Sequence, residues 1–277
     1  MTLSLEDEFG DLLQKARDGK AMSQRDLARA AGIPESEIDR MERYELTPRD
    51  DQIVELAKVL DLDATALKII AREQWVPKTP VVDPSFELTC MEVFMGAYPV
   101  KCYLVTCPKT KESVVIDTGA NPETIIKTVR EKNVNVSRIL LTHNHPDHAW
   151  GLGELDKAFE CPTWIGKMEP KPRGSRDLRV IKDEGELILG QLIIETLNTP
   201  GHTPGGVSYK IHNTVFSGDC IFAGSMGRAN SSWRDLYDSI TEKLLSLPDR
   251  TVLHPGHGPA TTVGEENRHN PFFCHRN

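Results

Sequence analysis

Apolar residues recur with two different periods along this chain. In the N-terminal quarter the spacing is helical: Ile53, Leu56, Ala57 and Leu60 fall at i, i+3, i+4 and i+7, one face of an amphipathic helix. Ser23 is a strong cap for a helix over 24–30, Gly32 breaks that helix, and Pro34 suits the first turn of the next. These signals predict short helices along this stretch. The proline-rich stretch 77–84 reads as a linker, with few contacts expected across it. Beyond it the pattern changes. Runs at 87–95, 101–107 and 113–116 predict strands. Residues 122–132 predict a helix with Ile125, Ile126 and Val129 on one face, and 138–141 predict the next strand. The reading is α+β, with units at 1–75 and 85–277 joined by 76–84.

Several of the strand-like runs end in histidine or aspartate. Arg138-Ile139-Leu140-Leu141 leads into Thr142-His143-Asn144-His145-Pro146-Asp147-His148. The hairpin-like stretch 187–197 precedes Pro200-Gly201-His202-Thr203-Pro204-Gly205. Val215-Phe216 runs into Ser217-Gly218-Asp219, and 251–253 runs into His254-Pro255-Gly256-His257-Gly258. Glycine lets the backbone turn sharply at such places, so a side chain can leave the sheet and face a site. Imidazole nitrogens and carboxylate oxygens are ligands for Zn²⁺, Fe or Mn²⁺. His143, His145, Asp147, His148, His202, Asp219 and His257 are too many for one tetrahedral ion and suit two ions that share a carboxylate. Metal held there turns water into a nucleophile at neutral pH. His254, His212, His269 and His275 are read as bystanders, His254 as a turn residue beside the site.

The set His143-x-His145-x-Asp147-His148, His202, Asp219 and His257 resembles the metallo-β-lactamase superfamily. Asp117, in Val114-Val115-Ile116-Asp117-Thr118, falls where that family carries a strand-end aspartate. Gly201-His202-Thr203-Pro204-Gly205, Gly218-Asp219-Cys220-Ile221-Phe222 and Gly224-Ser225-Met226-Gly227-Arg228 look like the glyoxalase II branch. So do Pro255-Gly256-His257-Gly258-Pro259 and Asn270-Pro271-Phe272-Phe273. The resemblance covers about 82–277. It implies an αββα sandwich and two divalent ions, zinc foremost, with iron or manganese as alternatives. It further implies that His143, His145 and His202 hold one ion, that Asp147, His148 and His257 hold the other, and that Asp219 bridges. Asp147 and Asp117 are the catalytic candidates, Asp117 by orienting an imidazole or a water.

Charge complicates the N-terminal unit. Its pattern, Ser23-Gln24-x-x-Leu27-Ala28-x-x-Ala31-Gly32-Ile33 followed by Ile38 and Glu42-Arg43, resembles the phage-repressor helix-turn-helix, which implies five short helices between about residues 8 and 72, and DNA as a partner through Arg40 and Arg43. Residues 1–75, however, carry 11 Lys and Arg against 17 Asp and Glu, a net of −6. The helix that would enter the groove, 34–43, displays Glu35, Glu37, Asp39 and Glu42, and such charges repel phosphate. Dimerisation of the chain, or covering the active site, are the competing roles. The six cysteines form no C-x-x-C pair and read as reduced buried thiols, the start lacks a signal pattern, and no apolar run approaches a membrane span, so a cytoplasmic, membrane-free enzyme is expected.

The expected reaction is hydrolysis of a thioester or ester, hydroxyacylglutathione-type hydrolysis included, with Arg228 as a contact for an anionic substrate. Glyoxalase II carries a helical C-terminal extension that this chain lacks, so glutathione specificity does not follow. A mononuclear iron persulfide dioxygenase on the same scaffold, and a DNA-binding sensor whose metal domain detects a metabolite, are the alternatives.

Overall fold

The protein is described from a computed structural model, which covers residues 4–181 and 184–274. Five helices open the chain: α1 (Phe9–Gly19), α2 (Gln24–Ala31), α3 (Glu35–Glu42), α4 (Asp50–Leu60) and α5 (Ala64–Ala71). Ser23 Oγ accepts the Asp26 N–H at 3.1 Å while the Asp26 carboxylate accepts the Ser23 N–H at 3.3 Å, a reciprocal cap that starts α2. Gly32, at φ 66°, ends α2 in the left-handed conformation that an L side chain resists.

Two six-stranded sheets follow. The first holds β1 (Glu87–Met95), β2 (Tyr98–Thr106), β3 (Glu112–Ile116), β4 (Asn135–Leu140), β5 (Thr163–Gly166) and β6 (Leu178–Ile181) in that order. The helices α6 (Pro122–Lys132), α7 (Pro146–Ala149) and α8 (Leu152–Phe159) lie in its crossovers. The first three strands are antiparallel and the rest pair in parallel. The second sheet contains β7 (Gly185–Leu189), β8 (Leu192–Asn198), β9 (Val207–Ile211), β10 (Thr214–Gly218), β13 (Val252–Pro255) and β14 (Thr261–Thr262). Its order is β14-β13-β10-β9-β8-β7. A ribbon of β11 (Ile221–Phe222) and β12 (Ser225–Met226) comes straight after β10. Helix α9 (Trp233–Asp238) runs into a π-helical turn, Ser239–Leu244, and α10 (Val263–His269) closes the order.

Layering follows from which faces are apolar. Tyr103, Val105 and Ile116 of the first sheet meet Ile194, Tyr209 and Phe216 of the second. Outside the first sheet, Val93, Val115 and Ile139 pack on Ile125 and Val129 of α6 and Leu155 of α8. Strands covered on both faces read as unbroken apolar runs, which is why Ser113-Val114-Val115-Ile116 shows no alternation.

The outer face of the second sheet corrects the expected separation at the linker. Val215 and Leu253 of that sheet, Leu236 and Ile240 beside it, and Leu12, Leu27, Leu56 and Leu67 of the N-terminal helices belong to one buried apolar cluster. Asp63 N–H donates to Pro271 O at 2.9 Å, and Lys78 N–H donates to Glu265 Oε1 at 3.0 Å. Trp75 stacks on His269 with ring centres 5.0 Å apart. The helical unit is thus part of the outer layer of the sandwich. Proline content sets local stiffness but says nothing about the apolar surface that either flank must bury.

Candidate metal centre

The residues expected to bind metal converge on one edge of the sandwich, where loops leave both sheets. His143 and His145 follow β4; Asp147 and His148 sit on α7, which Pro146 starts. His202 lies in the loop after β8, Asp219 directly after β10, and His257 two residues past β13. Their donor atoms form two groups, one of His143, His145 and His202 and one of Asp147, His148, Asp219 and His257, with the atoms of each within 4.8 Å of one another. Asp219 touches both groups: Oδ1 is 3.2 Å from His148 Nε2, and Oδ2 is 3.5 Å from His257 Nε2 and 3.7 Å from His202 Nε2.

Four imidazoles are tied down through Nδ1. His148 Nδ1 donates to Asp117 Oδ2 at 2.9 Å, His202 Nδ1 to Arg228 O at 2.8 Å, and His257 Nδ1 to Pro99 O at 2.7 Å. Asp117 also accepts the Thr142 N–H and hydroxyl, each at 2.8 Å, so the Thr142 oxygen is left to accept from His143 Nδ1 at 3.0 Å. A proton fixed on Nδ1 leaves Nε2 as a bare lone pair facing the cluster, the tautomer a metal ligand needs. Asp117 thereby sets two rings at once.

Backbone geometry keeps the groups close. A Cβ on Gly256 would stand 2.4 Å from Asp219 Oδ1 and 2.5 Å from His148 Cε1. Gly218 takes φ 51° with no room beside Thr142, a turn that delivers Asp219 off the end of β10. Electrostatics follow from the packing. Burial alone would raise Asp219, yet His148 and His257 hold it well below the usual carboxylate range. Burial would likewise lower His148 and His257. The charges of Asp219 and Asp117 hold His148 well above the ordinary imidazole value, and hydrogen bonds that His257 donates to Asp147 and Asp219 carry it up to about 10. His143 shifts the other way, pushed well down by burial and by its imidazole neighbours.

The four remaining histidines lie away from the cluster or beyond the described residues. His254 is a buried residue of β13 and not a turn residue: its ring stacks on Phe216 and meets Tyr103 edge-on, and burial pushes it down to about 4. All four residues of β13 are buried, so no alternation marked His254 as a strand residue. His212 occupies a tight turn at φ 51°, His269 stacks on Trp75, and His275 falls outside the described residues. All six cysteines are free thiols.

A cavity of about 390 Å³ opens beside the cluster, and its lining was only partly visible in sequence. His202, Asp219, Phe222 and Arg228 come from the sandwich, whereas Lys15 comes from α1 and Tyr44 from the turn after α3. The Arg228 guanidinium donates to Gln14 Oε1 at 2.7 Å and lies 3.6 Å from Asp11, so it braces α1 at the cavity wall. Lys15 is 5 % exposed; it pairs with buried Asp7, donates to Met226 O at 2.7 Å, and lies 5.0 Å from the Phe222 ring centre. Its place between Leu12, Leu13 and Ala16 on the apolar face of α1 was the sequence signal for burial.

On the helix-turn-helix itself, Arg43 is paired with Asp39 at 3.2 Å, Arg49 with Asp51 at 3.2 Å and Arg29 with Asp26 at 2.9 Å. Arg40 reaches Glu45 O at 3.4 Å. Of the two arginines expected to contact DNA, Arg43 is thus paired with a carboxylate, while Arg40 reaches a backbone carbonyl.

Comparison with known proteins agrees with this arrangement. The family model described as Helix-turn-helix matches residues 13–67. The probable metallo-hydrolase YqgX of Bacillus subtilis is 36% identical over 58% of this chain and 87% of its own length. The hydroxyacylglutathione hydrolase GloC of Haemophilus influenzae is 32% identical over 64% of this chain and 94% of its own. Among solved structures, TTHA1623 in a di-iron-bound form aligns at a TM-score of 0.58 and 32% identity, over 66% of this chain and 100% of its own length. With a model match spanning 95–257, across both sheets and every member of the His/Asp cluster, the chain belongs to the metallo-beta-lactamase superfamily, whose members are typically metal-dependent hydrolases.

Proposed function

We propose that this chain is a dinuclear metal hydrolase acting on a thioester or a similarly activated ester. The observation that carries the reading is Asp219, whose two carboxylate oxygens face histidines of both donor groups. The donor atoms fit divalent ions. Among the described residues, His143 Nε2, His148 Nε2 and Asp219 Oδ1 are buried without a hydrogen-bond partner. Orphaned polar atoms of that kind cost about 1–3 kcal/mol each unless something coordinates them. His143, His145 and His202 would hold one ion; Asp147, His148 and His257 the other; Asp219 would serve both. When bound, such a pair supplies Lewis acidity that polarises a carbonyl and acidifies water. Zinc suits the His and carboxylate set, and iron or manganese fit it as well.

The chain's own groups do the rest. Asp117 and Thr142 hold the His143 and His148 protons on Nδ1, so neither ring can take up a proton from the reaction at that atom. Asp147 is 21% exposed at its side chain, the most open carboxylate of the cluster, and accepts the proton that water loses on attack. A thiol leaving group, with pKa about 8.5 as for cysteine, departs as the anion without a dedicated acid; an alkoxide or amine would need one. That favours thioesters. The assembled Asp147, His148 and His257 group supports two ions over the single-iron dioxygenase reading. The helix-turn-helix supports DNA contact, but paired arginines and a net charge of −6 over residues 1–75 weigh against general DNA affinity. Elemental analysis of protein purified without chelator, run beside hydrolysis of S-lactoylglutathione and simple acyl thioesters, tests the proposal. Two metals and turnover are expected. One iron, with oxygen consumed on a persulfide, would replace it with the dioxygenase.

A further inference from the structure

The helical unit holds the larger of two adjoining cavities. This second cavity, of about 540 Å³, is lined by Leu5, Phe9, Met41, Leu46, Ile70 and Trp75. Its size falls within the ~300–1,000 Å³ of small-molecule sites. Apolar surface outweighs polar in its lining, and the charged groups among the lining residues, Asp7, Glu8 and Glu73, are acidic, which disfavours an anionic occupant. The cavity adjoins the one beside the metal site: Asp7 and Tyr44 line both it and the cavity that reaches His202 and Asp219. Tyr44, 58% exposed, forms a wall common to both at φ 62°, a costly conformation for an aromatic residue, and its hydroxyl donates to Asp11 at 2.8 Å. The fold thus fixes an aromatic edge between a polar reaction site and an apolar chamber.

We propose that the helical unit is the acyl-chain pocket of this enzyme, and that the substrate is a thioester of a medium-length, uncharged acyl group. The inference rests on the hydrolase reading above. The carbonyl lies beside His202 and Asp219, and the chain passes Tyr44 into the chamber. Water adds to the carbonyl carbon, the carbon–sulfur bond breaks, and the sulfur leaves with its electron pair. The products are the free acid and the thiol, which share the two protons of water. On this view the module that resembles a DNA reader is used for substrate selection.

The test uses the full-length holoenzyme and a series of S-acyl-N-acetylcysteamines from acetyl to decanoyl. Each added methylene should raise kcat/KM about fourfold until the chamber is filled, the effect of moving one CH₂ out of water. Filling the chamber with Ala71→Phe should cut the decanoyl-to-acetyl ratio at least tenfold. A second readout needs no turnover: decanoate should change tryptophan fluorescence saturably, the change should vanish in Trp75→Phe, and decanoate should inhibit decanoyl hydrolysis competitively. A flat chain-length series overturns the inference, as does decanoate binding that leaves decanoyl hydrolysis uninhibited. Saturable decanoate binding with no thioester hydrolysed at all would sink the hydrolase reading and, with it, the substrate assigned here, leaving a fatty-acid site of another purpose.

Discussion

Asp117→Asn isolates the part of the site that sets proton positions. The residue sits at φ 58°, a conformation that asparagine tolerates better than most side chains, so the backbone should survive the change. One amide oxygen can keep the 2.8 Å bond from Thr142 N–H. The amide NH₂ then faces Thr142 Oγ1 and His148 Nδ1, where the carboxylate had accepted at 2.8 and 2.9 Å. Two donors cannot point at each other, so His148 must carry its proton on Nε2, the atom 3.2 Å from Asp219. A protonated Nε2 cannot ligate. Replacing such a partner of a ligand imidazole typically costs about 10–100-fold in metal affinity, or roughly 1.4–2.7 kcal/mol. That agrees with the ~1.5–3 kcal/mol of a charge-assisted hydrogen bond. Competition with a calibrated zinc chelator should show one of two sites weakened by this factor, with the circular dichroism spectrum unchanged. Wild-type affinity at both sites would refute the tautomer argument, because the side chain that fixes His148 would then be dispensable.

Other expectations follow from the same geometry. Asp219→Ala should lose metal and most turnover, whereas His254→Ala should cost about 2–4 kcal/mol of stability by leaving a hole between Tyr103 and Phe216 while the metal content of the folded fraction stays intact; equal metal loss in both would overturn the roles. Gly256→Ala forces a methyl against Asp219 and His148 and should cost roughly 1–3 kcal/mol, read as metal loss on dialysis. In chelator-stripped protein His257 is raised to about 10 from about 6.5 when unfolded, so its contribution is complete below pH 6.5 and declines as pH rises through 10; melting temperatures that climb over that range would contradict the assignment. Removing residues 1–75 uncovers Ile221, Met226, Leu236 and Phe272, so the truncated chain should bind a hydrophobic dye and aggregate; a monodisperse, equally stable fragment would show that the shared core is unimportant.

Much of the centre was legible because metal chemistry restricts both residue types and spacing. His143, His145, Asp147 and His148 lie within six residues, and His202, Asp219 and His257 each stand next to or one residue from a glycine. Helix starts were equally local, as the Ser23 cap shows. What escaped depends on contacts far apart in sequence. Lys15 could have paired with Asp11 one turn away, yet its partner is Asp7, and its other anchor, Met226, is more than two hundred residues on. The linker misled for a related reason: 77–84 looks like a hinge, while the surface that joins the units lies on Leu12, Leu67, Leu236 and Phe272.

The shared core also has a consequence for synthesis. The helical unit emerges from the ribosome first, but Asp63 waits for Pro271 and the cluster around Leu56 and Leu67 for Phe272 and Phe273. At ~5–20 residues per second, the 200 or so intervening residues take roughly 10–40 s. For that interval a nascent bundle displays an apolar flank that residues from Val215 to Phe273 must cover. Chaperone demand should therefore peak late in translation, and a stop codon just before Pro271 should be more harmful than its distance from the metal ligands suggests.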